Sequence, residues 1–377
     1  MPSSLMLLTY PHRPDPRVFR ESRTLVRHGR TIHLIAWDRE GGLPKEAEED
    51  GVHVMRVGPR CPYRSAGKVI TRLPRFWFNA LRKSRRLDFD TIHCHDFDTL
   101  PLGLVLSRLR GKPVLYDAHE LYSGMIRKDV PTIADLVWKV EKWMSEKADE
   151  VITVNESLAN ILSKGRKEQV RIVMNSPDPG ILDGADIGEI RKRHNLKGFV
   201  ISYLGSLEPG RFVKELVESI EASGKIELAI GGNGTLAPLA EEGAMANSSI
   251  KFLGTLDTDE ALRVTWASDL VVAMLDPSNP NYKASTPVKV LDAMACGRPV
   301  ITSKGLDISR TVEEIGCGFV IPYDKEAFKE VLAKALSDQK TLEVMGRKGR
   351  EYFDRELSWE RSQDALFRAY KALESRN

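Results

Sequence analysis

The chain has 377 residues, with 56 lysines and arginines against 53 acids, and 42% of its residues are apolar. That length exceeds one ordinary domain and suits two with separate cores, while a net charge of +3 is too small to imply a nucleic-acid partner by itself. No apolar run reaches the roughly 18 residues of a membrane span, and Cys61, Cys94, Cys296 and Cys317 form no C-x-x-C pair, so disulfides and structural zinc are not expected.

The opening MPSSLMLLTY has no basic leader and reads as a first strand, not a signal peptide, which places the protein in the cytoplasm. Short apolar runs then alternate with helical patterns. Strands are expected at LMLLTY, TIHLIAW, VHVMRV, TIHCH, PVLYDA, EVITVN and VRIVMN, then at FVISYLG, IELAIGG, IKFLG, DLVVAML, RPVITS and GFVIPY. This alternation predicts an α/β protein of two doubly wound, Rossmann-like domains with parallel sheets. The Pro-, Gly- and Asp-rich stretch at 176–198 reads as the linker, giving domains at 1–180 and 181–355 and a terminal helical segment at 356–377. Ligands of such sheets bind beyond the carboxyl ends of the strands, so the chemistry is sought there.

After the first strand, Asp15 and Pro16 suit the N-cap and first position of a helix whose mouth holds Arg17. Arg17 is placed either to meet a phosphate or to pair with Glu21 one turn on. Next, YRSAGKVITRLPRFWFNALRKSRRL carries eight basic residues between Arg64 and Arg86 and no acid, with Phe76, Trp77 and Phe78 in its middle. Residues 64–86 read as a contact with a membrane surface, against the alternative of aromatics packed in the core under a solvated basic face. An RNA contact lacks any accompanying motif.

HCHDFDTLP sets His93, His95 and Asp96 at a strand end, and YDAHELYS does the same for Asp117, His119 and Glu120. The H-x-H spacing lacks a third neighbouring ligand, so no metal is expected. The two D-F-D strings read as helix-end and cap residues, and His119 is either a site residue or a satisfied core histidine. In the second half, YLGSLEPGRFVKEL sets Arg211 and Lys214 by a helix start, where cations oppose the helix dipole unless an anion offsets them. A Walker A reading fails because Arg211 and Phe212 stand where Lys and Ser/Thr are needed. Gly205 and Gly232 lie at strand ends, where small residues let a ligand approach the backbone.

In STPVKVLDAMACGRPVITSKG, Thr286 suits an N-cap, Pro287 the first helical position and Gly297 the position past the end, framing a helix of about ten residues. Lys289 then falls in the first turn, where the dipole favours an anion, and the free N–H groups beside Ser285, Thr286 and Pro287 complete a phosphate site. The alternative is a surface ion pair between Lys289 and Asp292.

The pattern P-x-K-x-x-acid-A-M-A-x-G-x-P-V, here Pro287, Lys289, Asp292 and the AMACGRPV run, resembles the donor-site signature of glycosyltransferase family 4. The family pairs this acid with a second one eight positions earlier, which counts back to Ala284 here, while Ser285, Pro287 and Lys289 resemble its S-x-P-x-K branch and PHRPDPRV its D-x-R-V branch. The resemblance implies a GT-B fold, two domains facing across a cleft with the first on the acceptor side, and a terminal helix crossing back to it. It implies a retaining, metal-independent glycosyltransferase that uses a nucleotide-diphosphate sugar, no cofactor, and a glycan or polyprenyl-linked acceptor, peripheral on the inner membrane face. By the same resemblance His119 touches the donor sugar, Arg211, Lys214 and Lys289 meet the diphosphate, and Asp292 holds the ribose. Two other readings follow from the missing acid and the shared architecture: a non-catalytic GT-B subunit, and a nucleotide-sugar 2-epimerase.

Overall fold

The computed structural model describes residues 1–12, 16–61, 66–126, 131–221, 225–283 and 285–376. Asp15, Arg64 and Ala284 lie outside them. Two compact units form: residues Met1–Asn175 with Ser362–Asn377, and residues Ser176–Arg361.

In the first unit the strands are β1 (Ser3–Leu8), β2 (Thr31–Ala36), β3 (Glu46–Glu49), β4 (Val52–Arg56), β5 (Thr91–His95), β6 (Val114–Ala118), β7 (Glu150–Thr153) and β8 (Arg171–Ile172). They form one sheet in the order β3-β4-β2-β1-β5-β6-β7-β8. Every pairing is parallel except β3 with β4. Sequence periodicity misses β3, whose Glu-Ala-Glu-Glu has no apolar face. It survives as an edge strand on backbone pairing to β4, where charge is tolerated and discourages further strand addition. The central strands β5 and β6 are buried at every position, as strands covered on both faces must be.

The helix Ala66–Ser84 divides its aromatics by direction. Phe76 is fully buried and stacks on Trp37 at 5.2 Å, Trp77 donates from Nε1 to the Asp98 carbonyl at 2.8 Å, and Phe78 is 64% exposed. The helix Trp359–Glu374 enters this unit from Ser362 onward: the Ser362 hydroxyl accepts from the Met174 amide at 3.1 Å, and Tyr370 Oη lies 3.0 Å from His93 Nδ1.

The second unit holds β9 (Phe199–Leu204), β10 (Ile226–Gly231), β11 (Ile250–Phe252), β12 (Leu270–Ala273), β13 (Val300–Ser303) and β14 (Gly318–Ile321), in the order β11-β10-β9-β12-β13-β14. All pairings are parallel. In each sheet the strand order reverses beside its first strand, β1 against β5 and β9 against β12, and such reversals leave a crevice at the carboxyl ends. Around β9 and β10 that crevice is built backbone against backbone. Gly232, at φ 139°, would put a Cβ 1.8 Å from the Gly205 carbonyl oxygen. No other residue fits there without parting the two loops.

Candidate functional site

Each unit carries its own cluster of charged groups at the carboxyl edge of its sheet. In the second unit the helix after β12 spans Val288–Ala295, with Pro287 at its N-cap in extended conformation. This corrects the expected frame by one position. Thr286 precedes the cap, and Ser285 closes the preceding turn, its hydroxyl donating to the Tyr282 carbonyl at 2.9 Å. Gly297 follows the helix in the left-handed region, φ 62°, as a helix stop does.

Lys289 lies in the first turn of that helix. Its ammonium sits 4.4 Å above the centre of the Tyr203 ring. It also sits 3.0 Å from where a Cβ on Gly205 would be, so that glycine makes room for the cation. Burial pushes the Lys289 amine down to about 7, Arg211 pushes it the same way, and Asp292 opposes. The electrostatic neighbours of Lys289 thus include Arg211 as well as Asp292, and the ordinary surface pair does not describe it. Arg211 lies 5.1 Å from the Tyr282 ring, and its buried Nε has no hydrogen-bond partner. An unpaired buried donor costs about 1–3 kcal/mol.

The chain around Arg211 is strained. Phe212, fully buried, stands at φ 60°, a conformation that costs a bulky side chain roughly 1–3 kcal/mol. It is held there by its amide, which donates to Tyr323 Oη at 2.9 Å, and by edge contacts to the Tyr323 and Phe328 rings. Lys214, expected beside Arg211 at the phosphate site, is 63% exposed on the helix Val213–Ser219 and pairs with Glu218 at 3.8 Å. The structure therefore gathers Lys289, Arg211, Asp292, Gly205 and Gly232 and leaves Lys214 on the surface. Tyr203, Phe212 and Tyr282 were missed, because an aromatic at a strand end or in a loop reads as core.

In the first unit, Arg17 corrects the phosphate expectation. Its side chain is 3% exposed and forks onto Asp117, Nε to Oδ2 at 2.8 Å and Nη2 to Oδ1 at 2.6 Å. It also meets the Val173 carbonyl at 2.5 Å, Asn175 Oδ1 at 3.0 Å and Glu21 at 3.2 Å. His93 and His95 are both fully buried, so His95 is no more a tip residue than His93. The fold supplies the acidic neighbours that the H-x-H spacing lacked, since ligand-type atoms of Glu21, His93, His95 and Asp117 lie within 4.8 Å of one another. Arg17 touches both of those carboxylates, which makes the group a buried ion-pair nest.

His119 follows β6 and is 16% exposed. Its Nε2 lies 2.9 Å from Asp117 Oδ2 and its Nδ1 3.2 Å from Asp96 Oδ2. Burial lowers its pKa, but Asp96 and Asp117 outweigh it and raise the imidazole to about 10. Asp96 is not a helix cap: it stands at φ 62°, and its Oδ1 accepts the His119 amide at 3.2 Å. Asp98 accepts from the Thr9 hydroxyl at 2.5 Å, and the cap position belongs to Thr99.

The model described as Glycosyltransferase Family 4 matches residues 17–179, and that described as Glycosyl transferases group 1 matches residues 198–338. A D-inositol 3-phosphate glycosyltransferase of Corynebacterium glutamicum strain R is 26% identical over 352 residues, 85% of this chain and 81% of its own length. Sucrose-phosphate synthase from Thermosynechococcus elongatus superposes with a TM-score of 0.82 at 19% identity, over the whole of both chains. Anabaena Alr3699/HepE in complex with UDP-glucose gives 0.72 at 16% identity, covering 98% of this chain and 99% of that one.

The depressed amine has a consequence for stability. Between about 7 and the ordinary 10.5, the unfolded chain holds a proton on Lys289 that the folded chain releases, so this group's penalty is complete below the window and fades upward through it. Lys289→Met should raise Tm at about pH 6, with the gain shrinking towards pH 10. A lowered Tm at pH 6 in a calorimetric scan would contradict the penalty of the buried charged amine.

Proposed function

We propose that this chain, which belongs to glycosyltransferase family 4, transfers a sugar from a nucleotide-diphosphate donor with retention of configuration, the second unit holding the diphosphate between Lys289 and Arg211. The observation that carries this reading is a pair of cations at the carboxyl edge of a doubly wound sheet, Lys289 depressed by burial and further by Arg211, and Arg211 with an unpartnered buried N–H. A diphosphate relieves both: it supplies the missing acceptor and returns the amine to its charged form. As the glycosidic bond breaks, negative charge grows on the departing phosphate, and fixed cations stabilise it most at that moment.

The helix N-terminus at Pro287 adds N–H dipoles of the same sign. Asp292 is assigned to the ribose hydroxyls, and the packed glycines Gly205 and Gly232 to the close approach of the donor. UDP-glucose in Alr3699/HepE supports a nucleotide sugar as the donor class. His119 is assigned to the donor sugar. The charge work is met by protein groups, so the reading requires neither a metal nor a cofactor. Lys214 reaches the phosphates only by leaving Glu218.

The acceptor side is read as a glycan or polyprenyl-linked acceptor met at a membrane surface on the cytoplasmic side. Among the described residues no helix is long and apolar enough to cross a membrane, but the helix Ala66–Ser84 presents a surface suited to lie on one. Lys68, Thr71, Arg75, Phe78 and Arg82 are exposed at alternating three- and four-residue spacing, which is one helix face. Beside Phe78 runs a groove lined by Trp77, Leu81, Pro101, Leu102 and Val105. Each basic residue near an anionic leaflet contributes about 1 kcal/mol.

Two outcomes are expected. Arg211→Ala and Lys289→Ala should each lower turnover at least about 100-fold, the cost of losing one stabilising group at a developing anion, with an unchanged circular-dichroism spectrum; near-normal release of nucleoside diphosphate in both variants would overturn the diphosphate assignment. The full chain should co-sediment with anionic phosphatidylglycerol vesicles and much less with phosphatidylcholine ones, and Arg75→Glu with Arg82→Glu should abolish the difference. Equal recovery with both vesicle types would remove the membrane from the account.

A further inference from the structure

Each of the two cations gathered in the second unit has an aromatic ring against it. We propose that Tyr203 is a positioning residue for the phosphate-binding Lys289, its ring face carrying the ammonium and leaving the charge free for an incoming anion. This rests on the assignment of Lys289 to the diphosphate and names what holds the amine there.

Tyr203 is buried at the next-to-last position of β9. Its hydroxyl donates to the Ser206 carbonyl at 2.8 Å, which fixes the ring beside the turn at Gly205, where φ is 132°. The Lys289 ammonium lies 4.4 Å from the ring centre, inside the roughly 6 Å over which a ring face attracts a cation. Gly205 completes the fit, because a Cβ there would stand 3.0 Å from Lys289 Nζ. Three elements each contribute one part: β9 the ring, the turn the clearance, and the helix Val288–Ala295 the amine.

Arg211 repeats the arrangement, with its guanidinium 5.1 Å from the centre of the Tyr282 ring. Tyr282 in turn packs against Gly210, where a Cβ would stand 3.1 Å from its Cε2. Arg211, Tyr282 and Tyr323 all act on the Tyr203 hydroxyl, so the rings and cations form one cluster.

A ring does for a buried cation what a carboxylate cannot. A carboxylate neutralises its partner and takes up the N–H donors, as Asp117 does with Arg17 in the first unit. A ring face attracts the cation through its quadrupole and carries no net charge, so the ammonium keeps both its charge and its donors for a ligand. Burial disfavours the protonated form of Lys289 most, Arg211 adds to that, and Asp292 opposes it. The Tyr203 face works on the side of Asp292, keeping protonation within reach near neutral pH, and a diphosphate completes it.

The test compares Tyr203→Phe, in the full-length protein, with a series of increasingly fluorinated phenylalanines at the same position, which weaken the ring face and barely change its shape. The Lys289 amine is followed by NMR of side-chain-labelled lysine, its resonance assigned by loss in Lys289→Met. Its midpoint should fall stepwise with fluorine, by about one pH unit across the series, as the loss of a desolvated ring face implies. UDP affinity at pH 8 should weaken about tenfold over the same series, because the protonated fraction is the one that binds. A midpoint that fluorine leaves in place or moves upward overturns the proposal and makes Tyr203 a packing residue. UDP affinity that holds constant while the midpoint falls contradicts the availability of that charge to an anion. The midpoint needs no ligand, so a midpoint that falls in a protein that binds no UDP would remove the diphosphate reading and leave the Tyr203 seat standing.

Discussion

A buried ammonium is the constraint from which the second unit is best understood. Lys289 lies on the first turn of a helix, where the dipole already disfavours it; burial pushes its amine down and the charge of Arg211 pushes it further. Folding alone would select against that arrangement. The surroundings nonetheless enforce it: Gly205 clears the space for the ammonium, Gly232 lets the β9 and β10 loops close against each other, and Phe212 accepts a strained backbone next to Arg211. Strain and a buried cation are thus gathered at the reversal point of an open parallel sheet, the place where the proposed reading puts the diphosphate.

The first unit solves the opposite problem. Its buried charges are matched within the protein, Arg17 against Asp117 and Glu21, and His119 against Asp96 and Asp117. Tyr370, on the returning C-terminal helix, closes the far side of that nest through His93. Where Arg211 keeps a buried N–H without a partner, Arg17 is fully engaged, and His119 and Asp96 are the members of this cluster that reach solvent.

Much of this was legible in the chain. All thirteen apolar runs became strands, because strands buried on both faces must be written in apolar residues. Lys289 stood out because its sign conflicts with its place on the helix, a conflict visible without coordinates. Of the two roles open to Arg17, the pairing with Glu21 forms, but its forked counter-charge, Asp117, lies about a hundred positions away and could not be read at the helix mouth. Asp96 was hidden in a string that imitates a metal motif, and β3 in a run of glutamates with no apolar period. The missing signals were contacts between strands distant in sequence, which periodicity does not encode. Thr286 was placed at the cap since it is the better capping side chain, yet the extended conformation of Pro287 moves the helix start one residue on.

The most direct measurement is calorimetry of nucleoside diphosphate binding at about pH 8 in buffers of different ionisation enthalpy, which reads the protons taken up per ligand bound. If burial, with Arg211, holds the Lys289 amine down to about 7 and a diphosphate recharges it, wild type should take up a substantial fraction of one proton and Lys289→Met none. Tight binding with no proton uptake, or uptake that persists in Lys289→Met, would contradict the claim that this pair of cations is built to receive the diphosphate.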